Sequence, residues 1–479
     1  MTLRSIRTPI QCLPRGRKRV LLAGLVWASA SLVSLGSASP ASAHGACHKW
    51  VGPTIITPTV WAVPNYWAGS SVPLANTSER ICFTQQVHLS GMNITAHSIS
   101  HQGVVLNNSR VSMLGWDLNP VWQDVSGWVL VGKSAITGFS FIATTPVQVV
   151  NGESTISFDA CYENLSGATV QVSNAALTLV ARPPFDVLGC GPTGLATQTF
   201  QVQGRSSVKG LGSAYANVTV SGNASLDGVV GSLTLQCPPA GCSTVSIPSR
   251  LSVVGPVNLN GGRISGASLA TGNITANAAA KISVDRLKVF APTGGTSFPG
   301  TLDARQAVEL GGGLLELAGT SAIAAPVQGS GSSVGVLRNL GSLTLLANNS
   351  PTIEGARMEN AGQLQISGVV AIPRTDFLNT GTVSIGDGAS LQPRTFTTSG
   401  TVSLDVNPFT AAGVARVAST GITTLGGTLQ IRTPTGPVGP VSWLAIGGQQ
   451  RVGTFAIVGA PERPVTLTYT LNGVLASVS

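Results

Sequence analysis

The sequence predicts an all-β protein in two parts: an N-terminal disulfide-linked β-sandwich followed by a β-helix, or β-solenoid. Three observations carry this reading. One phrase recurs four times, as Leu337–Leu345, Met358–Ile366, Phe377–Ile385 and Phe396–Leu404, with Asn339, Asn360, Asn379 and Thr398 at matching places. Only 9% of residues are charged, whereas Gly number 58 and Pro 28, a composition suited to strands and turns. The character of the chain changes at Arg182-Pro183-Pro184: all five His precede it, and the only Trp after it is Trp443.

Residues 1–43 read as an export signal. Arg4, Arg7, Arg15, Arg17, Lys18 and Arg19 form a basic start, Val20 to Leu35 is apolar and small, and Ala41-Ser42-Ala43 fits a cleavage site that leaves His44 first. The apolar run is too short and too rich in Ser and Gly for a transmembrane anchor. The formal charge of +9 includes these six cations, so the mature chain carries +3. That balance argues against nucleic acid as a partner.

Export sets the expectation for cysteine. Cys47, Cys82, Cys161, Cys190, Cys237 and Cys242 make an even count, consistent with three disulfides. The turn Cys237-Pro-Pro-Ala-Gly-Cys242 is expected to close on itself, with Cys82–Cys161 and Cys47–Cys190 as the other pairs. No cofactor is expected.

Residues 44–185 read as the sandwich. Strands are expected at Ile81–Leu89, Asn93–Ser98, Gly103–Leu106, Trp128–Val131, Phe139–Ala143, Ser154–Ala160 and Thr169–Val180, about seven short runs between turn residues. The tryptophans either fill the core or stack on sugar rings. The segment Gly115–Asp124 interleaves Trp116 and Trp122 with Asp117, Asn119 and Asp124, a mixture suited to a glycan site. An N-terminal His44, with His97 or His101 as a second ligand, is the residue set for a copper-binding alternative. Ala43-His44-Gly45 resembles the start of lytic polysaccharide monooxygenases over those few residues, with none of that family's later motifs.

Residues 190–479 read as the solenoid. The Asn/Thr positions are 21, 19 and 19 residues apart, a solenoid period. After each Gly, apolar residues alternate, as in Leu343/Leu345 and Val383/Ile385, which is strand geometry. A single strand per turn cannot bury its own apolar face, so successive coils must stack. The Asn side chains should then hydrogen-bond from coil to coil, and the Asn-x-Gly step should turn the chain through positive φ. The Asn precedes the strand rather than following it, which separates the pattern from a leucine-rich repeat.

Phe377–Ile385, Gly400–Val406, Gly426–Ile431 and Gly453-Thr454-Phe455 resemble the β-helical passenger repeats of bacterial autotransporters and related secreted adhesins. The resemblance implies architecture more than activity. The chain also departs from it, because no membrane barrel follows before Ser479.

Catalytic motifs are sparse. From residue 186 onward, twelve acidic residues lie scattered singly, without the paired carboxylates of glycoside hydrolysis or a calcium cluster. No His follows His101 and no Cys follows Cys242. The expected function is therefore a secreted or cell-surface, non-enzymatic binding or adhesion protein with a polysaccharide or cell-surface glycan as partner. A polysaccharide-active enzyme and a structural surface-layer component are the alternatives.

Overall fold

The computed structural model describes residues 47–479 except 70, 74–79, 97, 101, 114–127, 144–146, 165–168, 182–197, 213–215, 240, 291–294, 312–313, 324–326, 330–334, 347–355, 407–413, 433–440, 460–463 and 479. The protein is all-β, a solenoid of about 11 turns. Cys47–Ser479 form one compact unit.

Alternation builds each coil. Along Gln363–Ser367 the pattern runs exposed, buried, exposed, buried, exposed, so Leu364 and Ile366 point inward and Gln363 and Gln365 outward. Val383 and Ile385 stack above them in the next coil, and Val402 and Leu404 above those. One continuous core results, with Phe377 and Phe396 stacked at 5.7 Å and 7° between planes. Parallel strands need such a core because every strand interior is covered on both flanks.

The N-terminal half differs from the expected antiparallel sandwich. Its strands lie near the expected positions, but they pair in parallel. Val87 faces Val104, Val104 faces Trp128, Trp128 faces Val147, and Val147 faces Val170. The expected border at 182–184 lies outside the described residues. The flanking strands Thr169–Ala181 and Gln198–Gly212 pair in parallel, Phe200 above Val170 and Val218 above Phe200. Coils here measure from 15 residues (Val218 to Leu233) to 33 (Ile55 to His88), and this variation hides the period.

Both ends of the stack are closed. At the first coil, Trp50, Trp61 and Trp67 pack together, Trp67 lying edge-on to Trp50 at 4.9 Å and to Trp61 at 4.6 Å. Their indole N–H groups donate to the carbonyls of Pro53, Pro73 and Trp61. At the far end the pairing turns antiparallel, with Val441–Gly447 and Val465–Thr470 flanking Gly473–Val478.

The disulfides differ in part from expectation. Cys237 joins Cys242 as foreseen, but Cys47 joins Cys82, with Cα atoms 5.9 Å apart. The reason is the parallel register that sets His48 beside Ile81 and Lys49 beside Cys82. Cys190 and the Cys161 side chain lie outside the described residues.

Candidate binding face

Two internal polar columns shape the coils. In the C-terminal half, Asn339 donates its amide to Asn360 Oδ1 at 2.7 Å, Asn360 to Asn379 Oδ1 at 2.7 Å, and Asn379 to Thr398 Oγ1 at 3.0 Å. All four are buried. The glycine after each Asn does not adopt the expected positive φ. It is needed for close approach: a Cβ at Gly381 would lie 2.2 Å from the Gly362 carbonyl oxygen, and one at Gly362 2.2 Å from that of Gly341. Asn360 O meanwhile accepts from both Thr380 N and Gly381 N.

In the N-terminal half the corner is made by left-handed residues. Gly91, Asn108, Gly132, Asn151, Asn174 and Gly204 lie at φ between 48° and 68°. They stand in register along successive coils. Asn tolerates this conformation because its side chain bonds locally. Asn108 Oδ1 accepts from Lys133 N at 2.9 Å, and Asn174 Oδ1 from Arg205 N at 3.1 Å. Just inside, buried Ser109, Ser134, Ser206 and Ser243 donate to backbone carbonyls of the coil below, at 2.8, 2.9, 3.2 and 2.9 Å. This serine column has no fixed spacing in the sequence, so periodicity did not reveal it.

Beyond that corner the strands form a long face with two outward rows. One row holds Ser207, Ser225, Ser246, Ser265 and Ser283, one serine on each of five successive coils. Beside it runs Arg205, Asn223, Thr244, Arg263 and Lys281. Between the rows, Ala224, Val245, Ile264 and Ile282 point into the core. Both rows continue onto later coils as Ser342/Thr344, Gln363/Gln365 and Thr382/Ser384. Adjacent strands are about 4.8 Å apart, so hydroxyls and amides repeat at about that interval along the axis. The trace in the sequence is a run of x-apolar-Ser triplets, such as Thr244-Val245-Ser246 and Lys281-Ile282-Ser283.

Near the start of this face lies an open groove of about 540 Å³, with Glu153, Ala176, Arg205, Ser207, Ser225 and Ser246 among its lining. Small side chains leave the volume empty. Arg205, Arg263 and Lys281 make no ion pair among the described residues.

The opposite surface of the later coils is charged but internally paired. Arg338 stands between Glu316 and Glu359 on neighbouring coils, at 3.7 and 2.8 Å, and Arg357 is 3.0 Å from Glu359. Arg394 bonds Asp376 through two nitrogens, and this, with the Thr395 hydroxyl, holds the Asp376 carboxyl below its ordinary pKa against the opposing effect of burial. Such neutralised ladders offer little to a charged ligand.

The residues expected to bind ligand fall unevenly. Trp116, Asp117, Asn119, Trp122 and Asp124 lie outside the described residues, as do His44, His97 and His101. Of the other N-terminal tryptophans, Trp50, Trp61, Trp67 and Trp128 are all buried and serve the core. Among the described residues, no three of His, Cys, Asp and Glu gather where a metal would sit. No described helix is long and apolar enough to cross a membrane.

No family model, no curated protein and no solved structure matches this chain.

Proposed function

We propose that the protein is an exported, non-enzymatic binding or adhesion protein that recognises polysaccharide or cell-surface glycan, its solenoid serving as an extended scaffold like the passenger repeats it resembles. The observation that supports this most is the double outward row from Arg205/Ser207 to Thr382/Ser384, in which hydroxyl and amide side chains predominate and are interrupted by Arg205, Arg263, Lys281, Asp303 and Ala322. A polymer of sugar rings offers hydroxyls at regular intervals, and a rigid array of donors and acceptors meets it with little ordering cost. Trp116 and Trp122, with Asp117, Asn119 and Asp124, are a second proposed contact, able to stack on rings and bond their hydroxyls.

The test is retention of the purified full chain on a panel of insoluble polysaccharides, with three variants. One is Ser225→Leu/Ser246→Leu/Ser265→Leu, which replaces the hydroxyl row without touching the core. The second is Trp116→Ala/Trp122→Ala, and the third combines both sets. Loss of retention in the first variant is expected, with circular dichroism unchanged. Loss only in the second assigns binding to the Trp segment instead. A wild type retained by no polysaccharide overturns the proposal.

A further inference from the structure

We infer that the first five coils of this face select an anionic polysaccharide, one bearing carboxylates on its sugar rings. The inference rests on the glycan-binding reading above and specifies its ligand. Three features of the face lead to it.

The first is charge. Row by row from Asn174/Ala176 through Lys281/Ser283, the outward positions carry Arg205, Arg263 and Lys281 and no carboxylate. Nearby carboxylates are few: Glu153 lines the groove beside Arg205, Asp227 follows Ser225 by two residues and accepts from Ser249 and the Arg250 amide, and Asp303 accepts from the Ser283 hydroxyl at 3.1 Å. The second feature is contrast. Elsewhere on the solenoid, Lys288, Arg305, Arg338, Arg357, Arg394 and Arg432 each have a carboxylate within 4 Å, although Lys133, Lys209, Arg286, Arg416 and Arg451 make no ion pair among the described residues. The three cations on this face have none among the described residues. The third is shape. The groove of about 540 Å³ is lined by Arg205 and Glu153 together with small alanine and serine side chains. A sugar ring can settle there without displacing a large side chain, while a flat surface of long side chains would hold it off.

Geometry matches a chain laid along the solenoid axis. Arg205 and Arg263 are three coils apart, about 14 Å, and Lys281 is one coil further, about 5 Å. Between them Asn223 and Thr244 are tied to each other at 2.6 Å and, with the serines, present hydroxyl and amide groups to ring hydroxyls. Arginine suits a carboxylate because its planar fork bonds both oxygens at once. Attraction between exposed groups is weak singly, so affinity depends on several contacts acting together along one polymer.

Binding of the full-length mature protein to polygalacturonate and to its neutral methyl ester, at low and high salt, tests this. Wild type should bind the acid form about tenfold more tightly than the ester, and the difference should shrink at high salt. Arg205→Gln/Arg263→Gln/Lys281→Gln should lose that preference, binding the acid form about tenfold more weakly, while Arg338→Gln, on the paired ladder, should keep it. Equal binding of acid and ester overturns the charge selection and leaves the glycan reading intact. Binding to neither form and to no other polysaccharide overturns both. Equally tight binding of single-stranded DNA shows plain ion exchange and also overturns the inference.

Discussion

Asn360 and Asn379 are joined amide to amide at 2.7 Å across one coil, in a core where both are fully buried. Asn360 also accepts from Asn339 and donates to the Thr382 carbonyl. Like Asn379, it is therefore linked in both directions along the column. Asn339, by contrast, ends it: Leu317 lies beneath, and its Oδ1 has no donor.

Removing Asn360 is expected to destabilise the solenoid by about 1–3 kcal/mol, because two neighbours lose buried partners. Asn339→Ala should cost less, since it breaks a single link in the column. Urea denaturation followed by circular dichroism measures both. Equal costs would show that the column does not act as a chain.

The aromatic closure of the first coil should be worth more. Trp67 is 2% exposed and touches both other rings. Trp67→Ala is expected to cost about 3–5 kcal/mol, and hydrogen exchange should quicken first in the coils beside it. Uniform quickening throughout the chain would contradict a local closing role.

The two described disulfides enclose very different loops, 35 and 5 residues in separation. On loop entropy alone, Cys47→Ser/Cys82→Ser should cost about 4 kcal/mol and Cys237→Ser/Cys242→Ser about 2 kcal/mol. Thermal unfolding of the two variants ranks them. Peptide mapping without reduction should find Cys47 joined to Cys82; a Cys47–Cys190 peptide would contradict the register.

Acid should weaken the Asp376–Arg394 link. Because the folded-state pKa of Asp376 is depressed, its contribution is complete above the ordinary aspartate range and is lost as pH falls through the folded value. The carboxylate is part-exposed, so the effect is small, about 0.2–1 kcal/mol. Asp376→Asn should flatten the acid limb of the stability curve and leave neutral pH nearly unchanged apart from that amount. Denaturant midpoints across the acid range measure it.

The later coils were readable in the sequence because Asn339, Asn360 and Asn379 keep near-constant spacing and alternate with apolar pairs. The earlier coils place similar strands at intervals of 15 to 33 residues, so their alternation was visible but their stacking was not. Strands of this kind serve a sandwich or a coil equally well until partners are known. The pairing of Cys47 with Cys82 depended on that missing topology. The hydroxyl face was hidden for a related reason: Ser207, Ser225, Ser246, Ser265 and Ser283 are ordinary surface serines until the register aligns them. The Trp116–Asp124 segment was the most conspicuous candidate by composition, whereas the row of Arg205, Arg263 and Lys281 became visible only once the register aligned it.

The Cys47–Cys82 bond also has a mechanical meaning. In a stack of parallel coils the hydrogen bonds run along the axis, so a tensile load between the ends passes through every seam in series, and the weakest seam yields first. Terminal seams have a neighbour on one side only and peel most readily. Here the seam between His48–Trp50 and Arg80–Phe83 is riveted by a covalent bond, and the opposite end is clasped by the antiparallel strands Val465–Thr470 and Gly473–Val478. Rupture under tension is thereby displaced from the ends toward the interior of the stack, where each coil is gripped from both sides.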